Sequence, residues 1–272
     1  MLKSFLIAAL TLIFVNTSVA QTAIAEYNQG MKLQNTKKYT EAIVFFKKAI
    51  ALDPRYKEAY YQAGWCSNEN GNYTDALYYL QKAKELWPNQ AKIYYELGYA
   101  SEKTDKTDDA IDYYKTSISL FADYKLAYKA LGDIYFDQKN YKKSLDFFLG
   151  FAEKESNITS SEFYYRKGYC ENDLEKYDDA VVSLKKALEL ENDFTNAYTE
   201  LGYSYYALGK YDEALTRLNK AISLKKNQLP VYYAGLCYVG LKQKSAAMKM
   251  YNDLKEMKSD NADKLKKRID EM

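Results

Sequence analysis

A block of about 34 residues recurs through nearly the whole chain. Aligned on one small residue, its anchors are Ala42, Ala76, Ala110, Ser144, Ala180, Ala214 and Ala247, spaced by 34, 34, 34, 36, 34 and 33. A fixed period of this length predicts stacked two-helix units, each touching its neighbours, and not a globule around one closed core. Such an array presents an extended surface, so contact is the function to expect before chemistry in a single cleft.

The unit is clearest over residues 195–228. Tyr198, Leu201, Gly202, Tyr205 and Leu208 follow the i, i+3, i+4, i+7 spacing of one apolar helix face. Gly209-Lys210 interrupts that helix, and a second stripe follows at Tyr211, Ala214, Leu215, Leu218, Ala221 and Ile222. Two amphipathic helices joined by so short a turn pack antiparallel. Neither buries its stripe alone, and the next block covers what remains.

These blocks resemble the tetratricopeptide repeat (TPR), whose pattern places an aromatic at position 4, Leu-Gly at 7–8, an aromatic at 11, Ala at 20 and 27, a bulky residue at 24 and Pro at 32. Residues 91–124 supply Tyr94, Leu97-Gly98, Ala110 and Tyr114; residues 57–90 supply Tyr60, Gly64, Ala76, Leu80, Ala83 and Pro88. The resemblance covers about residues 23–261 and implies an all-α, right-handed α-solenoid of seven stacked helix-turn-helix units. Their bounds are 23–56, 57–90, 91–124, 125–158, 161–194, 195–228 and 228–261. Gly30, Gly64, Gly98, Gly132, Gly168, Gly202 and Gly235 all fall at position 8. Glycine inside a helix costs about 1 kcal/mol relative to alanine, so the recurrence predicts a close approach of the unit's two helices there.

Residues 1–20 read as a secretory signal peptide. Lys3 precedes an apolar run from Phe5 to Val15, and Ser18 and Ala20 set small residues before a cut at Gln21. Residues 262–272 read as a capping helix, with Ala262, Leu265, Ile269 and Met272 on one stripe. Two extra residues enter near Glu155–Ser160, where Thr159 and Glu162 have capping-box spacing. The insertion reads as a longer loop, with a hinge between a four-repeat and a three-repeat lobe as the alternative.

Composition removes several classes of function. The chain has no His, the commonest general base and metal ligand. Lys+Arg 39 against Asp+Glu 37 leaves no footprint for nucleic acid or an anionic membrane. Cys66, Cys170 and Cys237 all occupy repeat position 10, too far apart by repeat geometry for disulfides, and read as small buried residues. The pairs Asp108-Asp109, Asp178-Asp179 and Asp212-Glu213 each begin a second helix, where negative charge favours the N-terminus. No catalytic, metal-binding or cofactor-binding set emerges, and a non-enzyme is expected.

The aromatics hold the functional signal: Tyr occurs 30 times. In TPR proteins, positions 2, 5, 9, 12 and 13 of the first helix generally line the concave surface. The resemblance therefore implies a partner face of Tyr27, Tyr61, Trp65, Tyr95, Tyr99, Phe136, Tyr165, Tyr169, Tyr203, Tyr206 and Tyr232. Positions 5 and 9 lie off the packing stripe, so their rings are expected to be free for contact. The Lys and Asn of chaperone-binding TPR clamps are replaced by Tyr27 and Met31. The expected function is an exported, non-catalytic scaffold, periplasmic by preference, that binds a protein or extended peptide in envelope assembly or secretion. Binding of cell-wall carbohydrate on the same rings is the alternative.

Overall fold

The computed structural model describes residues 2–272, with side chains from residue 19 onward. The expected signal peptide, residues 1–20, falls almost wholly outside the residues whose side chains are described. The chain divides by its contacts into two compact units, Met1–Leu131 and Gly132–Met272. The first holds α1 (Leu2–Asn35), α2 (Tyr39–Leu52), α3 (Lys57–Glu69), α4 (Tyr73–Leu86), α5 (Ala91–Glu102) and α6 (Thr107–Leu120). Helix α7 (Lys125–Asp137) spans the division. The second unit continues with α8 (Tyr141–Lys154), α9 (Ser161–Asp173), α10 (Tyr177–Leu190) and α11 (Thr195–Ala207). It ends with α12 (Tyr211–Leu224), α13 (Gln228–Gly240), α14 (Lys244–Glu256) and α15 (Asn261–Asp270). Among the described residues there is no strand, and no helix is long and apolar enough to cross a membrane. The all-helical repeat architecture expected from the 34-residue period is the one found.

Position-8 glycines mark where paired helices come closest. A Cβ on Gly98 would lie 2.7 Å from Tyr114 Cδ1, and one on Gly202 would lie 2.5 Å from Leu218 Cγ. Tyr114 and Leu218 belong to the second helix of the same repeat and are fully buried. The last repeat departs from this rule: a Cβ on Gly235 would meet Leu265 Cδ2 of α15 at 2.4 Å. The C-terminal helix thus fills the place that the repeat's own second helix fills elsewhere. Its buried stripe is Ala262, Leu265 and Ile269, while Met272, expected on that stripe, is 42% exposed beyond the helix end.

The turn inside each repeat is made the same way seven times. Lys37, Gly71, Asp105, Lys139, Glu175, Gly209 and Lys242 all have positive φ, between 57° and 75°. Glycine takes that left-handed conformation freely, whereas the five other residues are held there at a small cost by the packed helices on either side. Acidic pairs do stand in the first turns of α6, α10 and α12, where they meet the positive end of the helix dipole.

The insertion near Glu155 does not part the chain. Phe163, at the start of α9, is 2% exposed and packs edge-on against Phe148 and Phe151 of α8, with ring centroids 5.3 and 5.2 Å away. Both helices lie in the second unit, and the division between units falls within α7 instead. The cap of α9 also differs from the expected Thr159: the hydroxyl of Ser160 accepts from the Phe163 N–H at 3.1 Å. The added residues let the chain reach Ser160 before helical geometry begins.

Candidate partner-binding face

The eleven aromatics expected on the partner face are all half-buried, neither sealed in the core nor free. The expectation that positions 5 and 9 stand clear of packing is not met. Position 9 of one repeat meets position 17 of the repeat before it, four times over: Trp65 with Tyr39 at 5.6 Å, Tyr99 with Tyr73 at 6.1 Å, Tyr169 with Tyr141 at 5.2 Å and Tyr203 with Tyr177 at 6.1 Å. Position 5 meets the last residue of its own repeat: Tyr27 with Tyr56 at 5.0 Å, Tyr95 with Tyr124 at 5.2 Å and Tyr165 with Phe194 at 4.9 Å. Offset and edge-on ring pairs at these separations add stability beyond their buried area. The position-9 rings therefore help to join one repeat to the next at these four places, and the position-5 rings pack within their own repeat.

Some of the eleven are covered. The Arg166 guanidinium lies 4.8 Å over Phe136 and pairs with Asp137 at 3.0 Å and Glu162 at 2.8 Å. Lys92 sits 4.2 Å over Tyr61. Tyr206 and Tyr232 group around Tyr233, with ring centroids 6.2 and 5.7 Å away.

What sequence reasoning missed is a polar pair beneath the rings. Asn68 Nδ2 donates to the Glu96 backbone oxygen at 3.1 Å and to Glu96 Oε2 at 2.8 Å. Asn172 Nδ2 does the same to Glu200, at 3.1 and 3.0 Å. Each pair joins position 12 of one repeat to position 6 of the next. The signal was present as the 28-residue offset from Asn to Glu, but it becomes visible only once neighbouring first helices are known to touch there. Burial pushes both carboxyls up to about 7 from the ordinary 4.5, with the Asn amide pulling the other way.

These pairs belong to a larger duplicated set. Trp65, Asn68, Glu69, Tyr73, Glu96 and Tyr99 of the first unit recur 104 positions later as Tyr169, Asn172, Asp173, Tyr177, Glu200 and Tyr203. The copies differ in one detail with an energetic consequence. In the second, the Ser204 hydroxyl donates to Asn172 Oδ1 at 2.7 Å. In the first, Ala100 stands at that position and the buried Asn68 Oδ1 has no partner. Ala100→Ser is expected to stabilise the protein by about 0.5–1.5 kcal/mol by supplying the missing donor, read as a shift of the denaturant midpoint. A loss of stability would show that the Asn68 amide is oriented otherwise.

Two hollows open on this face in the second unit. One, of about 280 Å³, is walled by Tyr169, Tyr177, Tyr203 and Tyr233 and by the acids Asp173, Glu175 and Glu200. The other, of about 540 Å³, has Tyr165 and Thr199 on one side and the start of α13, Asn227 to Pro230, on the other. Tyr169 and Glu200 belong to both. Of the sequence-predicted residues, the structure thus brings Tyr165, Tyr169 and Tyr203 together. Burial first, and neighbouring hydroxyls and carboxylates next, raise the phenols of Tyr169 and Tyr203 above their ordinary 10.0, so both remain neutral hydroxyls.

The cysteines take no part in this face. All three are buried and unpaired, and burial lifts the Cys66 and Cys237 thiols to about 12 and Cys170 to about 11. Thiols so protonated are poor nucleophiles. Among the described residues no cluster of acidic or cysteine side chains is arranged to hold a metal.

Comparison with known families agrees with this geometry. Models of the tetratricopeptide repeat match residues 23–56, 45–78 and 95–157, and a TPR repeat model matches 168–209 and 202–234. The chain belongs to the tetratricopeptide repeat family. Among solved structures, it is similar to YrrB, described as a TPR protein with an unusual peptide-binding site, at 22% identity and a TM-score of 0.62, covering 69% of this chain and 97% of that one. The C-terminal part of a TPR repeat-containing protein from Cytophaga hutchinsonii matches at 17% identity and 0.62, covering 88% and 98%. MamA (MSR-1) matches at 25% identity and 0.54, covering 62% and 97%. Comparison with the curated proteins returns no match. The TPR likeness carries the fold; the ligand is a question for the site.

Proposed function

We propose that this TPR protein is an exported, non-catalytic scaffold that holds an extended segment of a partner protein on the first-helix face of its second unit. The observation that supports this reading is the pair of adjoining hollows, walled by tyrosines and joined through Tyr169 and Glu200. Tyrosine offers a large contact area with few rotors to freeze and a hydroxyl for the peptide backbone, which is why it recurs in binding hot spots. YrrB, similar in fold, carries a peptide-binding site by its own description. The signal-like N-terminus supports export, with the periplasm and envelope assembly as the expected setting.

Tyr203→Ala should weaken binding of a matching peptide by about 1–2 kcal/mol, read by calorimetry against a peptide array with wall-derived glycans as the competing ligands. Val182→Ala, at a residue 69% exposed on α10, serves as the control and should leave binding unchanged. Binding of glycans and not peptides would replace this reading with the carbohydrate one. N-terminal sequencing of the secreted protein should begin at Gln21; retention of residues 1–20 would remove the export part.

A further inference from the structure

The two copies of the Trp/Tyr–Asn–Glu–Tyr set differ in what lies on their rings. In the first unit the protein's own lysines occupy them. Lys103 Nζ lies 5.3 Å over the Tyr99 ring, and Lys92 Nζ lies 4.2 Å over Tyr61 and 5.0 Å over Trp87. The equivalent rings in the second unit, 104 positions on, are Tyr203 and Tyr165. There the residues replacing Lys103 and Lys92 are Ala207 and Asn196, and Glu191 replaces Trp87. Both rings border the hollows. The first unit thus shows which group these rings accept, and the second presents the same rings without it.

The remaining walls favour the same group. The smaller hollow is lined by Asp173, Glu175 and Glu200 with no lysine or arginine among its lining residues, and the larger one also has none. Glu200 commits one oxygen, Oε2, to Asn172. A cation over a tyrosine face is attracted by the ring's negative face, the more so when desolvated, and a carboxylate within reach adds to it. An anionic ligand would meet three carboxyls and no counter-charge.

We propose that the hollow between Tyr203, Tyr177 and Glu200 is a seat for a cationic side chain, lysine or arginine, carried by the partner segment. This rests on the peptide-binding reading above and names the chemistry of its central contact. The first unit's equivalent seat is closed by its own lysine, so the recognition is confined to the second unit.

The test uses the full mature chain and three short capped peptides of equal length, alternating alanine with lysine, with norleucine or with glutamate. The lysine peptide should bind at least tenfold tighter than the norleucine one, the preference should shrink with added salt, and the glutamate peptide should bind least. Ala207→Lys places on Tyr203 the lysine that Lys103 places on Tyr99. It should leave the melting temperature within a few degrees of wild type and remove the lysine preference. Glu200→Gln should reduce that preference, weakening binding of the lysine peptide by a larger factor than that of the norleucine peptide. Equal binding of the three peptides, lost on Tyr203→Ala, would keep the peptide reading and overturn the cation seat. A lysine preference that survives Ala207→Lys would also overturn it, and a chain that binds none of the three peptides overturns both.

Discussion

Phe163→Ala is expected to cost about 3–5 kcal/mol, the range for deleting a buried phenylalanine from a core that can relax only in part. Phe163 is 2% exposed and its ring is held on three sides, by Phe148, Phe151 and Tyr164 at centroid distances of 5.3, 5.2 and 5.3 Å. No small side-chain shift fills that volume, because the three neighbours are themselves anchored on α8 and α9. The result bears on the architecture as well as on stability. A cost below about 1 kcal/mol, measured by denaturant unfolding, would mean that α8 and α9 are not packed in solution and that the insertion at Glu155–Ser160 acts as the hinge of the alternative reading. A cost in the expected range makes the insertion a loop closed over a continuous core.

The repeat made most of this fold legible in the sequence, and for a physical reason. Position-8 glycines and small residues at position 20 report contacts inside a repeat, where sequence separation is short and identical each time. Gly98 on Tyr114 and Gly202 on Leu218 are examples. The same logic failed at the C-terminus, because Gly235 meets Leu265 of the closing helix and no earlier repeat offers that pairing as a guide. Contacts between repeats were harder to read. Tyr39, Tyr73, Tyr141 and Tyr177 at position 17 are the partners of the position-9 rings, yet a helical wheel drawn for one helix shows neither as packed. The reason that pointed to the candidate face was therefore incomplete. The face's tyrosines pack within and between repeats first, and hollows open beside Tyr165, Tyr169 and Tyr203. The Asn–Glu pairs went unread because a single carboxylate among many surface acids carries no mark of burial until its neighbour in the next repeat is placed.

The second large effect concerns Glu96 and pH. Its carboxyl is 7% exposed, and burial holds it near 7 against an ordinary 4.5, with Asn68 as its hydrogen-bond donor. A carboxyl raised in this way keeps its proton in the folded chain over a range where the unfolded chain has released it. The group has no effect on stability below about pH 4.5, where both states are protonated. As pH rises toward 7 the unfolded state alone ionises, so the fold loses stability, and above 7 the loss is complete. Each tenfold gain in proton affinity is worth about 1.4 kcal/mol, which sets a ceiling of about 3–4 kcal/mol. Glu96→Gln retains an acceptor oxygen for Asn68 and never ionises. It should therefore match the wild type within about 0.5 kcal/mol near pH 4 and exceed it by about 1–3 kcal/mol near pH 8. Taking the difference between the two proteins removes the titration of every other carboxylate they share. The decisive reading is the sign of that difference at pH 8. If Glu96→Gln is the less stable protein there, the carboxylate is ionised in the fold and the bonds from Asn68 outweigh its burial. A positive difference identifies the polar pair beneath the rings as a place where the chain gives up stability at neutral pH. Such a cost makes sense at a joint whose second copy, Asn172 and Glu200, borders the proposed seat.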